Sequence, residues 1–209
     1  MTSNPPNLLA TFDATKDAFD NLIDLVRANN LPNYQTIPPT PGFDATRQHV
    51  QLGQPSMSTP DERERNTYVS MMAILGKAKG GPWRLHYHRP SFRKLTVVET
   101  ANFVYHLKAS DLDATGQRVK DPEALKRAIL AVLFGAAQVG CHDEFTLDVT
   151  TDWSRPVKGI ETAATLIVVD QSWLFVKDEI LTFTLRWPTT QPVVDFNSIA
   201  VMKLGGFAP

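Results

Sequence analysis

Two histidines lie close together at His86 and His88, with a tyrosine between them. On a β-strand, residues two positions apart point to the same side, so both imidazole rings could bind one metal ion. His106 and Glu99, on the next predicted strand, could complete such a site. The alternative, which we favour, is that these histidines lie on a solvated sheet face.

The same histidines fall within a stretch of alternating basic and aromatic residues, 83–94. The basic residues are Arg84, Arg89, Arg93 and Lys94, and the aromatic ones include Trp83, Tyr87 and Phe92. Such a combination can bind phosphates and stack bases, which predicts a nucleic-acid or anion site. No recognisable nucleic-acid-binding motif accompanies it. The favoured alternative is that long basic side chains protect a sheet edge from pairing.

A third group, Cys141-His142-Asp143-Glu144, contains a thiol and an imidazole. A nucleophile and its base normally come from separated segments, so adjacent residues are poorly placed for catalysis. We therefore predict that Cys141 is a packing residue and that 142–144 form a polar turn. The sequence contains no phosphate-binding glycine loop, no serine-hydrolase elbow and no zinc-protease motif, and it predicts no catalytic residue and no cofactor.

A long apolar helix is predicted over 121–140, and it would position the candidate functional residues. Asp121 can cap its first turn, Pro122 suits the first helical position, and Gly140 can end it. Residues 128–137 include no charged residue and read as apolar all round, which predicts burial on several sides.

The N-terminal part predicts an amphipathic helix over 13–28 followed by an extended arm. Four apolar residues fall on one helical face, namely Phe19, Leu22, Ile23 and Val26. Asn29, Asn30 and Pro32 are expected to end the helix. The next segment, 31–60, carries six of the fifteen prolines without apolar periodicity, so we expect an irregular arm.

The remaining elements predict an α+β fold with a mainly antiparallel sheet packed on the buried central helix. A capping-box pattern at 59–62 predicts a second helix whose apolar face is Tyr68, Met71, Met72 and Leu75. Strands are predicted over 85–88, 94–107, 145–151, 160–170, 173–176, 180–187 and 193–202, and the second of these is expected to break or bulge near Ala101-Asn102. We expect an N-terminal unit of helix and arm over 1–58 and a core domain over 59–209.

Composition restricts the class of protein. The chain has 209 residues, a net charge of -1 and one cysteine, which argues against a wholly basic surface and against an intramolecular disulfide. The N-terminus shows no secretory signal, and the longest apolar run is about half of what a bilayer crossing needs. We therefore expect an intracellular, by default cytoplasmic, protein without a transmembrane segment; peripheral membrane contact stays open.

The preferred functional hypothesis is a non-enzymatic, self-assembling structural or scaffold protein, with an organisation like that of viral coat or matrix subunits. Its helix with Phe19, Leu22, Ile23 and Val26 would contact a neighbouring copy in a homo-oligomer. Two alternatives remain: a metal-dependent or small-molecule enzyme near His86, His88 and His106, and nucleic-acid binding through 83–94.

Overall fold

The computed structural model describes residues 11–36, 47, 50–57, 65–74, 82–149, 153–157 and 159–189. They form two helices, α1 (Ala18–Thr36) and α2 (Pro122–Phe134), and two four-stranded sheets. The strands are β1 (Val50–Leu52), β2 (Ser56–Met57), β3 (Thr67–Ala73), β4 (Trp83–Tyr87), β5 (Val104–His106), β6 (Phe145–Val149), β7 (Glu161–Val168) and β8 (Ile180–Arg186). Short 3-10 helices cover Phe92–Leu95, Ala109–Asp111 and Cys141–Glu144. The predicted α+β class is confirmed.

The first sheet is built around β3. β1 and β2 pair with successive parts of one of its edges and β4 pairs with the other, all antiparallel. Buried residues of α1 cover one face of this sheet and form a small hydrophobic cluster with it. Its members are Phe19, Leu22, Ile23, Val50, Leu52, Val69 and Tyr87. We call this the first cluster.

The second sheet has the order β5-β8-β7-β6, in which only the β5–β8 pair is parallel. Burial alternates along β7 and β8, as expected when one face of a sheet lies against a core. α2 packs against this face, and residues of both elements belong to the larger hydrophobic cluster. We call this the second cluster; Ile129, Leu130 and Leu133 of α2 are fully buried in it.

α2 begins where the sequence predicts and ends earlier. The Asp121 side chain accepts hydrogen bonds from the backbone N–H groups of Glu123 and Ala124, and Pro122 is the first helical residue. The helix stops at Phe134 because Gly135 adopts a left-handed conformation with φ 63°. The predicted end at Gly140 is therefore wrong. The helix is also not buried all round, since Val132 is 41% exposed.

α1 departs from the prediction at both ends. Residues 13–16 form a turn instead of helix, because the Asp13 side chain accepts a hydrogen bond from the Thr15 backbone N–H. The helix begins at Ala18 and runs through Pro32 to Thr36, and no described contact explains why Pro32 does not end it.

Three other predicted elements are wrong. Residues 67–73 form strand β3, so Tyr68 and Met72 lie on one face and Met71 on the other. Only Val104–His106 of the predicted strand 94–107 is extended in a sheet, because a 3-10 turn and the positive φ of Asn102 interrupt the segment. Residues 173–175 form a bend. The capping box at 59–62, Leu75 and the strand at 193–202 lie outside the described residues.

The predicted boundary between units 1–58 and 59–209 stays a prediction. β1 and β2, from the first unit, pair with β3, from the second. The strand part of 145–151 is Phe145–Val149, with Phe145, Leu147 and Val149 on the more buried face, as the alternation predicts.

Candidate functional site

The predicted metal ligands are divided between the two sheets. His86 lies on β4 of the first sheet and His88 follows that strand, whereas His106 lies on β5 of the second sheet. His86 is paired across the strands with Tyr68, and His106 with Arg186. Within the described ranges, no three His, Cys, Asp or Glu side chains come together as a metal-binding group.

The four predicted basic residues do not share one surface. Arg84 is exposed on β4, while Arg93 and Lys94 are exposed on the 3-10 helix Phe92–Leu95, where Arg93 forms an ion pair with Glu179. Arg89 is only 2% exposed. It therefore does not belong to an exposed basic patch, and its guanidinium is a hydrogen-bond donor inside the protein.

Arg89 lies at the centre of a buried polar network between the two sheets. Its Nε donates to Thr67 Oγ1 over 2.7 Å, and its Nη1 donates to the Ser172 carbonyl oxygen over 2.5 Å. Asn66 accepts from the Arg89 backbone N–H over 2.9 Å and donates to its carbonyl oxygen over 3.1 Å. We call Asn66, Thr67, Arg89, Glu144 and Ser172 the junction network.

Glu144 is the acidic member of the junction network, and it is 7% exposed. Its Oε2 accepts hydrogen bonds from the Ser172 hydroxyl and from the Leu174 backbone N–H. Burial raises the pKa of this carboxyl above its ordinary value, while these hydrogen bonds and the positive charge of Arg89 oppose the rise.

The network ties the first sheet to the loop that joins β7 and β8 of the second. The Tyr87 hydroxyl adds a further link by donating to the Trp173 carbonyl oxygen over 2.8 Å, and burial of that phenol raises its pKa. Because every member named here has a hydrogen-bond partner, the arrangement stabilises the contact between the sheets. Sequence reasoning assigned no role to Ser172 and placed Glu144 in a polar turn.

Cys141 is a packing residue, as predicted. It is 1% exposed, and burial raises the pKa of its thiol to about 12, so the reactive thiolate is disfavoured. Beside it, His142 Nε2 lies 3.1 Å from Arg127 Nη2, at the edge of an open cleft of about 400 Å³. A second open cleft, of about 350 Å³, lies beside His106 and the Glu161–Arg186 ion pair.

Residues 11–26 contact both hydrophobic clusters, and we call them the N-terminal strap. The Phe12 ring lies 5.3 Å from the Phe134 ring and 5.6 Å from the Phe175 ring, at the second cluster. Phe19, Leu22 and Ile23 are buried in the first cluster within the same chain. The predicted contact residue Val26 is only partly buried.

Gly140 lies directly against the backbone of the N-terminal strap. Its backbone N–H donates to the Ala14 carbonyl oxygen over 2.9 Å. A Cβ atom at this position would lie 2.4 Å from the Thr15 carbonyl oxygen and 2.5 Å from the Lys16 carbonyl carbon. Only glycine fits against this backbone, so the sequence signal at Gly140 marks a docking contact and not a helix end.

Asn21 holds the strap in its bent shape. Its side-chain amide donates to the carbonyl oxygens of Asp13, Lys16 and Asp17 and accepts from the Asp13 backbone N–H. Asn21 is 7% exposed, so these hydrogen bonds satisfy a buried polar group. The turn at 13–17 therefore aims Phe12 at one cluster and α1 at the other.

Neither described helix combines the length and the apolarity that spanning a bilayer requires. Comparison of the chain with protein-family models, with curated proteins and with solved structures finds no match.

Proposed function

We propose that this chain is a non-enzymatic structural protein that self-assembles by docking its N-terminal strap on a neighbouring copy. The observation that carries the proposal is that one short segment fills sites in both hydrophobic clusters. Phe12 covers the second cluster, and Phe19, Leu22 and Ile23 complete the first. An organisation of this kind suits a coat- or matrix-like subunit in a homo-oligomer.

The apolar contacts of the strap stabilise the closed chain and would stabilise an exchanged dimer to the same extent. Burying one large apolar side chain contributes about 1.5–3 kcal/mol, so Phe19, Leu22 and Ile23 together represent several kcal/mol. If the strap left its site, apolar surface would be exposed both on the strap and on the part of the chain that it covers. A strap that is released from its own chain is therefore driven to find an equivalent site.

Exchange between copies needs no new contact. The strap and its acceptor surface are complementary in one chain, so the strap of a second copy fits the same surface. Residues 37–49 connect α1 to β1. A chain segment of this length reaches at most about 45 Å when fully extended.

The buried ionisable groups support a structural role rather than catalysis. Arg89 donates hydrogen bonds that join the first sheet to the β7–β8 loop, and Glu144 accepts hydrogen bonds from Ser172 and Leu174 of that loop. The raised pKa of Cys141 keeps its thiol protonated.

Mixing two complementary variants tests the exchange. Gly140→Leu blocks the acceptor surface and keeps an intact strap, whereas Phe12→Ala with Leu22→Ala weakens the strap and keeps an intact acceptor. If straps are exchanged, each pair of co-expressed variants contains one contact between an intact strap and an intact acceptor surface. The two variants then elute together as a heteromer in chromatography with light-scattering detection.

Each variant alone is expected to assemble less than the unmodified chain. Ala114→Leu serves as the control, because it enlarges a small exposed residue whose φ is not positive. A monomeric unmodified chain at all concentrations, or a mixture of variants that behaves as the sum of its parts, would refute the proposal.

A further inference from the structure

The first sheet has a second face, on the side opposite the buried residues of α1. Strand alternation places Tyr68, Ser70 and Met72 of β3 there, together with Arg84 and His86 of β4. The strand register sets Tyr68 opposite His86 and Ser70 opposite Arg84. We call Tyr68, Arg84 and His86 the outer platform.

The three side chains of the outer platform lie next to one another on the sheet face. The rings of Tyr68 and His86 are 5.6 Å apart and inclined by 34°. The Arg84 guanidinium carbon lies 5.5 Å from the centre of the Tyr68 ring. Arg84 and His86 are exposed and Tyr68 is half-buried, so this surface is open to solvent.

Among the described strand residues of this face, Arg84 supplies a positive charge. The others beside the outer platform are Gln51, Ser56, Ser70 and Met72, and none of these carries a carboxylate. Arg84 lies over one face of the Tyr68 ring. A guanidinium in this position can bind a phosphate through its N–H groups, while a base stacks on the other face of the ring or on a neighbouring ring. A ligand complementary to this face therefore combines planar rings with negative charge.

We propose that the outer platform binds single-stranded nucleic acid. Unpaired bases expose their planar faces, and each can stack on Tyr68 or His86 while Arg84 contacts a neighbouring phosphate. Duplex DNA does not satisfy this geometry, because its bases are already stacked inside the helix. The site differs from the basic stretch 83–94 that the sequence suggests: Tyr68, from another strand, is added, and Arg89 is excluded because it is buried.

The platform is small, so one copy binds weakly and without sequence preference. Adjacent strands are about 4.8 Å apart, and a surface of two strands accommodates about one or two stacked bases. Loss of one base stack is expected to lower the affinity by roughly five- to a hundred-fold. Loss of one phosphate contact is expected to reduce the slope of log affinity against log salt by about 0.7.

Fluorescence anisotropy of the full chain with labelled oligothymidylate and oligouridylate tests the proposal. Tyr68→Thr should weaken binding while retaining a strand-forming residue, and Tyr68→Phe should restore it because the ring is retained. Arg84→Gln should reduce the salt slope. Arg118→Gln, which removes the same charge from another exposed position, should leave both quantities unchanged.

Two outcomes would overturn the proposal. One is no binding of either oligonucleotide at low salt, or equal binding by Tyr68→Thr and the unmodified chain. The other is equal binding of an acidic peptide or of duplex DNA, since either would show attraction to charge without base stacking. Circular dichroism of each variant establishes that its sheet is intact. The binding test does not depend on whether straps are exchanged between copies.

Discussion

Replacement of Arg89 by methionine tests whether the junction network holds the two sheets together. Methionine keeps an unbranched side chain of similar reach and removes the guanidinium. The change takes away the donors to Thr67 Oγ1 and to the Ser172 carbonyl oxygen. It also removes the positive charge that acts on the Glu144 carboxylate.

The size of the effect follows from these contacts. A hydrogen bond that involves a charged group contributes about 1.5–3 kcal/mol, and Arg89 makes two through its side chain. Methionine recovers a part of this through apolar burial. Removing one partner from a buried charged network typically costs about 3–5 kcal/mol, and we expect Arg89→Met to lower the free energy of unfolding by this amount.

The loss should depend on pH through Glu144. Its folded-state pKa lies above the ordinary value of 4.5, so the stability it contributes is present below that value and is lost as the pH rises through the folded-state pKa. Without the Arg89 charge the folded-state pKa rises further, and more stability is lost. The cost of Arg89→Met should therefore be larger at about pH 7 than at about pH 4.

Urea unfolding followed by tryptophan fluorescence measures this cost. Arg84→Met, at an exposed position, is the control and should change the free energy of unfolding by no more than about 0.5 kcal/mol. In a Glu144→Gln background, the pH-dependent part of the Arg89→Met effect should disappear. A cost below about 1 kcal/mol, or an equal pH dependence in both backgrounds, would refute the role assigned to the network.

Three further outcomes are expected. Leu133→Asp should prevent folding, because it places an unpaired charge at a fully buried site; a soluble protein that unfolds cooperatively would contradict this. Gly135→Ala should destabilise more than Gly116→Ala in urea unfolding, since both have a positive φ but only at Gly135 would the new Cβ lie 2.8 Å from Val97 Cγ2. Iodoacetamide should modify Cys141 much faster in urea than in the folded protein at about pH 8, and equal rates would contradict its burial.

Several elements could be predicted because their signals are local. The start of α2 depends on Asp121, whose side chain accepts from the N–H groups of Glu123 and Ala124, and on Pro122, which lacks an N–H group and suits the first helical position. β7 and β8 follow from alternation over seven or eight residues. To predict that β7 pairs with β8, only this short-range pattern and the loop that joins the two strands are needed.

β3 shows where local signals fail. Tyr68, Met71 and Met72 have the spacing of a helical face, and the same residues also fit a strand with two occupied faces. Pairing with β1 and β4 decides between the two, because the register supplies backbone hydrogen bonds along both edges of β3. Those partners lie outside the window in which helical periodicity is judged.

The candidate sites show the same division. The sequence by itself determined the residue types, the near-neutral charge and the apolar segments that must be buried. From the sequence alone, Arg84 and Arg89 were both assigned to one basic stretch. Only the tertiary structure decided that Arg84 lies beside Tyr68 on an open face, while Arg89 is buried against a carbonyl oxygen 83 positions away in the chain. The physical reason is that a charged side chain is buried only where distant segments supply its hydrogen-bond partners, and no local pattern records those partners.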